Sequence, residues 1–163
     1  MSIRNLDSLF DPTSIAVFGA SEREGSVGAT AWRNLTQGSY KGALYAVNPK
    51  LPNLTGYTVV SNASDLPAVP DLAVICTPAS TVVDLITQLA ALGTRAAVVL
   101  TAGMTREQKQ AMLDAAKPQL LRILGPNCIG FLSPHIGLNA SFTHTNAIPG
   151  ELAFVSQSGA LVT

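Results

Sequence analysis

Short runs rich in Val, Ile and Ala recur along the chain at Ser14–Phe18, Ala43–Val47, Asp71–Cys76, Arg95–Leu100, Leu121–Leu124 and Leu152–Val155. They do not alternate apolar with polar. Unbroken apolar runs suit strands whose two faces are both covered, as in a parallel sheet flanked by helices. Between them lie helix-like stretches at Val27–Gln37, Ser80–Leu92 and Thr105–Lys117, each beginning near a Ser or Thr able to cap it. In the second stretch Val82, Val83, Leu85, Ile86, Leu89, Ala90 and Leu92 leave Asp84, Thr87 and Gln88 for solvent, predicting a helix with one face on a sheet. The third is more polar and is expected on the outside. Gly93 and Pro118 stand where a C-cap and a breaker are expected.

The alternation of strand and helix predicts an α/β fold: a Rossmann-like, doubly wound, mainly parallel sheet with helices on both faces. Segments 51–65 and 133–149 lack clear periodicity and are expected to be loops with short strands at most. Residues 1–150 read as one ligand-binding domain. Glu151–Val155 followed by Ser156-Gln-Ser-Gly159 and Ala160–Thr163 reads as a strand, a turn and a helix just beginning, so residues 151–163 are expected to be the truncated start of a next domain.

Composition narrows the function classes. Of 163 residues, 47% are apolar and 12% charged, with ten basic residues balancing ten acidic ones, against a usual charged share of about 25%. That argues against disorder and polybasic nucleic-acid binding. No apolar run approaches the roughly 18 residues of a membrane span, and the N-terminus carries no apolar leader. A cytoplasmic protein, with neither nucleic acid nor membrane as partner, is the expectation. Cys76 and Cys128 are the only cysteines, too few for a disulfide scaffold or a zinc site.

In a doubly wound sheet the ligand sits beyond the carboxyl ends of the strands. After the first strand comes Gly19-Ala20-Ser21, then Gly25-Ser26-Val27-Gly28. Glycines there permit a tight turn and let backbone N–H groups approach a phosphate at a helix N-terminus. The spacing is neither GxGxxG nor that of a P-loop. After the second strand a NAD site places an acid, whereas this chain has Asn48-Pro49-Lys50. Lys50 is a point charge suited to a phosphate on a ribose, which leaves NADP or coenzyme A. Cys76-Thr77-Pro78-Ala79 offers an uncharged rim for an adenine ring. Cys128 has no His or acid partner in a local motif, so an inert buried thiol is favoured over a nucleophile. His135 and His144 lack partners at metal spacing, and Ser156-Gln-Ser-Gly159 is not a GxSxG elbow. Neither a catalytic residue nor a metal ligand is assigned.

Ser14-Ile-Ala-Val-Phe-Gly-Ala-Ser21, Val47-Asn-Pro49, Ala73-Val-Ile-Cys-Thr-Pro78, Leu124-Gly-Pro-Asn-Cys-Ile-Gly130 and Val155-Ser-Gln-Ser-Gly159, in this order and spacing, resemble the N-terminal CoA-binding domain of NDP-forming acyl-CoA synthetases. The resemblance covers nearly the whole chain. It extends to ADP-forming acetyl-CoA synthetases and to bacterial protein lysine acetyltransferases that fuse the same region to a GNAT domain, which also resemble Gly137-Leu-Asn-Ala-Ser-Phe142. The α subunit of succinyl-CoA ligase is a more distant relative, and its acidic residue after the fourth strand is replaced here in Thr101-Ala102-Gly103.

The resemblance implies CoA or acetyl-CoA as ligand, with residues 19–28 at its phosphates, 48–50 at its nucleotide end and 76–79 beside the adenine. Ala102, Gly103 and Asn127 join the candidates, because they follow the next two strands. ATP or ADP, a phosphorylated histidine and acetyl transfer are implied only for domains beyond Thr163, on the same polypeptide or on partner subunits, so the chain alone is expected to bind without turnover. Two other readings stay open. One is an NADP-binding domain of an oxidoreductase or redox-sensing regulator; the other is a docking domain without a ligand.

Overall fold

The computed structural model describes residues 3–159. A short helix α1 (Leu6–Phe10) precedes β1 (Ser14–Phe18), α2 (Val27–Gln37) and β2 (Ala43–Val47). A small hairpin of β3 (Asn53–Leu54) and β4 (Tyr57–Val60) follows, then β5 (Leu72–Ile75), α3 (Ala79–Leu92), β6 (Ala96–Val99), α4 (Arg106–Ala116) and β7 (Arg122–Leu124). The last elements are β8 (Gly130–Ser133) and β9 (Leu138–Ser141).

Seven strands form one sheet in the order β3-β4-β2-β1-β5-β6-β7, parallel throughout except for β3 against β4. Strands β8 and β9 make a separate antiparallel pair. Without β3, the chain order of the parallel strands across the sheet is 3-2-1-4-5-6, the order of a dinucleotide-binding sheet. The expected doubly wound architecture is therefore present.

Each central strand sends alternate side chains into two cores. Ile15, Val17, Leu72, Val74, Ala96 and Val98 face α2, with Ala31, Trp32, Leu35 and, from β9, Leu138 and Ala140 completing that layer. Ala16, Phe18, Ala73, Ile75, Ala97 and Val99 face α3 and α4 through Val82, Ile86, Leu89, Met112 and Ala116. A fully buried Ile, Leu or Val contributes about 1.5–3 kcal/mol over its exposed state, so these strands are held from both sides. The polar helix α4 buries only Met112 and Ala116 and packs on α3, as its pattern predicts.

One helix end departs from expectation, the start of α3. Ser26 caps α2 by accepting from the Ala29 N–H at 3.2 Å, and Thr105 caps α4 in a reciprocal box with Gln108. Helix α3 has no side-chain cap: Pro78 stands at its N-cap and Ser80 lies inside it. Gly93 ends α3 at φ +98°, and α4 ends at Ala116 with Lys117 as its C-cap, just before Pro118, both as expected. The chain runs on as a 3-10 turn over Lys117–Gln119, where a proline is tolerated, and stops at Leu120 with φ +56°.

The strand expected at Leu152–Val155 is absent. The segment is irregular and exposed, with Leu152 99% and Val155 92% accessible. No strand among the described residues lies beside it, and an apolar run without a hydrogen-bonding neighbour forms no ladder. The helix expected at 160–163 lies outside the described residues.

Candidate functional site

The chain winds from β1 outward through β2 and β4, then returns to β5 on the other side of β1. The sheet therefore reverses between β1 and β5, the place where such folds open a crevice. Gly19–Ser21 leave β1 on one lip, and Cys76-Thr77-Pro78 leave β5 on the other.

Two glycines allow these parts to meet. Gly19 sits at φ +85°, donates its N–H to the Val47 carbonyl at 2.9 Å, and is tight for a side chain, since a Cβ would lie 3.1 Å from the Cys76 carbonyl oxygen. Gly28, in the first turn of α2, approaches so closely that a Cβ would overlap the Gly19 carbonyl oxygen. The N-terminus of α2 is thus pressed onto the end of β1. Among its first N–H groups, that of Ala29 is capped by Ser26, while those of Val27 and Gly28 have no partner among the described residues. Gly25 has φ +74° and open space where a side chain would stand. An exposed backbone loop running into a helix N-terminus suits an anionic group.

The loop is pinned at several points. Ser21 Oγ accepts from the Arg23 N–H at 2.9 Å, and Ser26 Oγ donates to the Arg23 carbonyl at 2.8 Å. Glu22 Oε1 accepts from the Thr55 N–H at 2.9 Å, which ties the loop to the β3–β4 hairpin, and hydrogen bonding from the Thr55 side chain and then its N–H lowers the Glu22 carboxyl pKa. The Ala20 side chain is fully buried. Only its backbone borders the loop, and its carbonyl accepts from Asn48 Nδ2 at 2.8 Å. Asn48 Oδ1 in turn accepts from the Lys50 N–H at 2.9 Å. Pro49 and Lys50 are exposed, and the Lys50 ammonium has no partner among the described residues.

Across the crevice, Thr101 links the ends of three strands. Its hydroxyl donates to the Thr77 carbonyl at 2.7 Å, and its own carbonyl accepts from the Asn127 N–H at 3.0 Å. Asn127 is exposed at φ +57°, and Ala102 and Gly103 are exposed beside it. Pro78 is exposed and Ala79 half-buried, leaving a small uncharged rim. Sequence reasoning missed Arg23, an exposed guanidinium without a partner among the described residues, in the middle of the glycine loop. Its position between two glycines in a loop of N–H donors is the signal that would have found it.

Both thiols are held toward the protonated form. Burial, with a smaller contribution from the Cys128 thiol, pushes Cys76 up to about 12, and burial also raises Cys128. Cys128 Sγ donates to the Val99 carbonyl at 3.4 Å. A protonated thiol in an apolar layer is no nucleophile. Among the described residues no three His, Cys, Asp or Glu side chains gather as a metal site, and no helix is long and apolar enough to cross a membrane. Two cavities lie elsewhere, one by Asp11, Tyr40 and Lys41 and one by Tyr45, Tyr57 and Leu66.

Residues 13–134 match the CoA binding domain family. The chain is 33% identical to an ADP-forming acetate–CoA ligase I of Archaeoglobus fulgidus, over 96% of this chain and 24% of that protein. It is also 33% identical to the α subunit of the Pyrococcus furiosus ADP-forming acetate–CoA ligase I, over 96% of this chain and 36% of that subunit. Among solved structures, a dinucleotide-forming acetyl-coenzyme A synthetase 1 of Ca. Korarchaeum cryptofilum, in complex with phosphate and ADP, superposes with a TM-score of 0.91. It is 37% identical and covers 96% of this chain and 34% of that one. The chain thus spans about a quarter to a third of the length of the relatives it matches. With its sheet order, its glycine turn and its match over residues 13–134, this chain belongs to the CoA-binding domain family, as found in ADP-forming acyl-CoA synthetases.

Proposed function

We propose that this chain binds coenzyme A or an acyl-CoA in the crevice between the ends of β1 and β5, and that it serves as the coenzyme-binding part of an ADP-forming acyl-CoA synthetase of the cytoplasm. The observation that carries the reading is the contact of Gly28 with Gly19, which brings the unpaired N–H groups of Val27 and Gly28 to the mouth of the crevice. The residues fit the coenzyme's parts. Gly19, Ser21, and Gly25 to Gly28 offer backbone donors and a helix dipole to a diphosphate, with Arg23 supplying charge. Lys50 stands where a phosphate on the ribose requires a cation. Thr77, Pro78 and Ala79 form a flat uncharged edge for the adenine, and Ala102, Gly103 and Asn127 close the far side. Asn48 with no carboxylate after β2 disfavours an unphosphorylated ribose.

Bound there, coenzyme A supplies a thiol as acyl acceptor. The chain's own groups hold and orient it; the buried protonated Cys76 and Cys128 take no part in acyl transfer. Activation of the acyl group by ATP through a phosphorylated histidine belongs, in this reading, to further domains of the same polypeptide or to partner subunits, and residues 151–163 open the next of them. Exposed Ile148, Leu152, Phe154 and Val155 suit a segment that packs against such a neighbour. Amide chemical shifts followed during titration with coenzyme A test the placement. Changes concentrated at residues 19–28, 48–50 and 77–79 are expected; changes at the Asp11–Tyr40 cavity in their place would overturn it.

A further inference from the structure

We propose that Asn48 is a positioning residue that couples the glycine loop to Lys50, and that it makes no contact with the ligand itself; the inference rests on the crevice being the coenzyme A site. Asn48 is the first residue past β2, and its polar groups reach three different segments. The N–H donates to the Val60 carbonyl at the end of β4 at 2.9 Å. Nδ2 donates to the Ala20 carbonyl, 28 residues back in the chain, at 2.8 Å. Oδ1 accepts from the Lys50 N–H at 2.9 Å.

The side chain is thus spent on the protein. One end fixes the carbonyl of Ala20, whose methyl is buried and whose neighbour Gly19 is bonded to Val47. The other end closes a tight turn over Pro49, whose ring restricts φ, and so sets where the Lys50 side chain leaves the backbone. Lys50 itself is exposed and its ammonium has no partner among the described residues; Asn48 is what fixes its root. A cation reaching for a phosphate on the ribose and a loop holding the diphosphate must keep a fixed separation, because both groups belong to one ligand. Asn48 is the side chain that bonds to both.

An amide is required for this, since it presents a donor at one end and an acceptor at the other. The carboxylate introduced by Asn48→Asp would still accept from the Lys50 N–H but would set an oxygen against the Ala20 carbonyl. The two ends can therefore be separated by experiment.

Wild type, Asn48→Ala and Asn48→Asp are each titrated with coenzyme A and with dephospho-coenzyme A, with and without Lys50→Ala, and the exchange of the Lys50 amide proton is followed in the free proteins that retain Lys50. Asn48→Ala is expected to lower the preference for coenzyme A over dephospho-coenzyme A about three- to tenfold, to have no further effect on that preference in the Lys50→Ala background, and to speed exchange at Lys50. Asn48→Asp is expected to keep Lys50 protected while weakening both ligands. An unchanged preference in Asn48→Ala, or an equal loss in the Lys50→Ala background, overturns the coupling while leaving the site reading intact. If wild type binds neither ligand, the site reading falls, and this proposal with it.

Discussion

The carbonyl oxygen of Gly19 lies against the Cα of Gly28, in the space that a side chain on Gly28 would fill. This contact presses the first turn of α2 against the end of β1, and it is the geometric basis of the proposed site. Gly28→Ala is therefore expected to push the helix away from the strand, with an overpacking cost of about 1–3 kcal/mol. Thermal unfolding checks this. A Tm drop of several degrees is expected, accompanied by weaker coenzyme A binding; a Tm and Kd equal to wild type would mean that the contact is not required.

Lys50 separates ligands that differ by a single phosphate. Lys50→Ala is expected to weaken coenzyme A roughly tenfold, in line with loss of a charge-assisted hydrogen bond, and to leave dephospho-coenzyme A almost unchanged. Titration of both ligands against both proteins measures this. Equal losses for the two would remove Lys50 from that role.

Arg23 and Lys50 are exposed cations without partners among the described residues, on a chain of zero formal net charge. Coenzyme A binding is expected to weaken with added salt, and less steeply in Arg23→Gln than in wild type. A salt dependence identical in the two proteins would show that Arg23 does not meet the ligand's phosphates.

The buried thiol of Cys76 gives a pH signature. Its value rises from 9.0 to about 12 on folding, chiefly through burial. The folded state favours the protonated thiol, so this contribution is whole below the unfolded value of 9.0 and is lost as pH climbs from there toward about 12. The Tyr40 hydroxyl, raised from 10.0 to about 12 mainly by burial, adds a loss in an overlapping window. Denaturant unfolding across this range should show stability falling with pH, and less steeply in Cys76→Ala. The thiol should also resist alkylation in the native protein and react once the chain is unfolded.

Thr105 accepts from the Gln108 N–H at 3.2 Å, and Gln108 Oε1 accepts from the Thr105 N–H at 2.9 Å. Thr105→Ala is expected to cost about 1 kcal/mol of stability, with coenzyme A affinity unchanged, because the Thr105 hydroxyl is bonded within its own helix turn. A matching loss of affinity would mean that the α4 cap also shapes the ligand site.

The central strands were legible because their residues are buried on both sides: Ile15 and Val17 serve one core, Ala16 and Phe18 the other, and the result is an unbroken apolar run. The same logic hides β9, where Asn139 and Ser141 are buried yet polar. Ser141 Oγ donates to Asn139 Oδ1, Asn139 Nδ2 donates to Asn146, and Asn34 donates to the Ser141 carbonyl, so a core strand reads as a loop. Strand β3 is two residues long and leaves no period to detect. Leu152–Val155 errs the other way, as an apolar run that reads as a strand and has none beside it. At the site, the glycine turn and Lys50 could be placed from local spacing and strand order. The burial of Ala20 and its bond to Asn48 depend on residues 28 apart meeting in space, which local spacing does not reveal.

The most direct test of the central claim is a calorimetric titration of the chain with coenzyme A, acetyl-CoA, NADPH and NADH side by side. Saturable binding of coenzyme A and acetyl-CoA with no response to either dinucleotide is the predicted result. Binding of a dinucleotide alone would contradict it and place the crevice among dehydrogenase sites, and no binding of any of the four would leave the domain a docking element without a ligand.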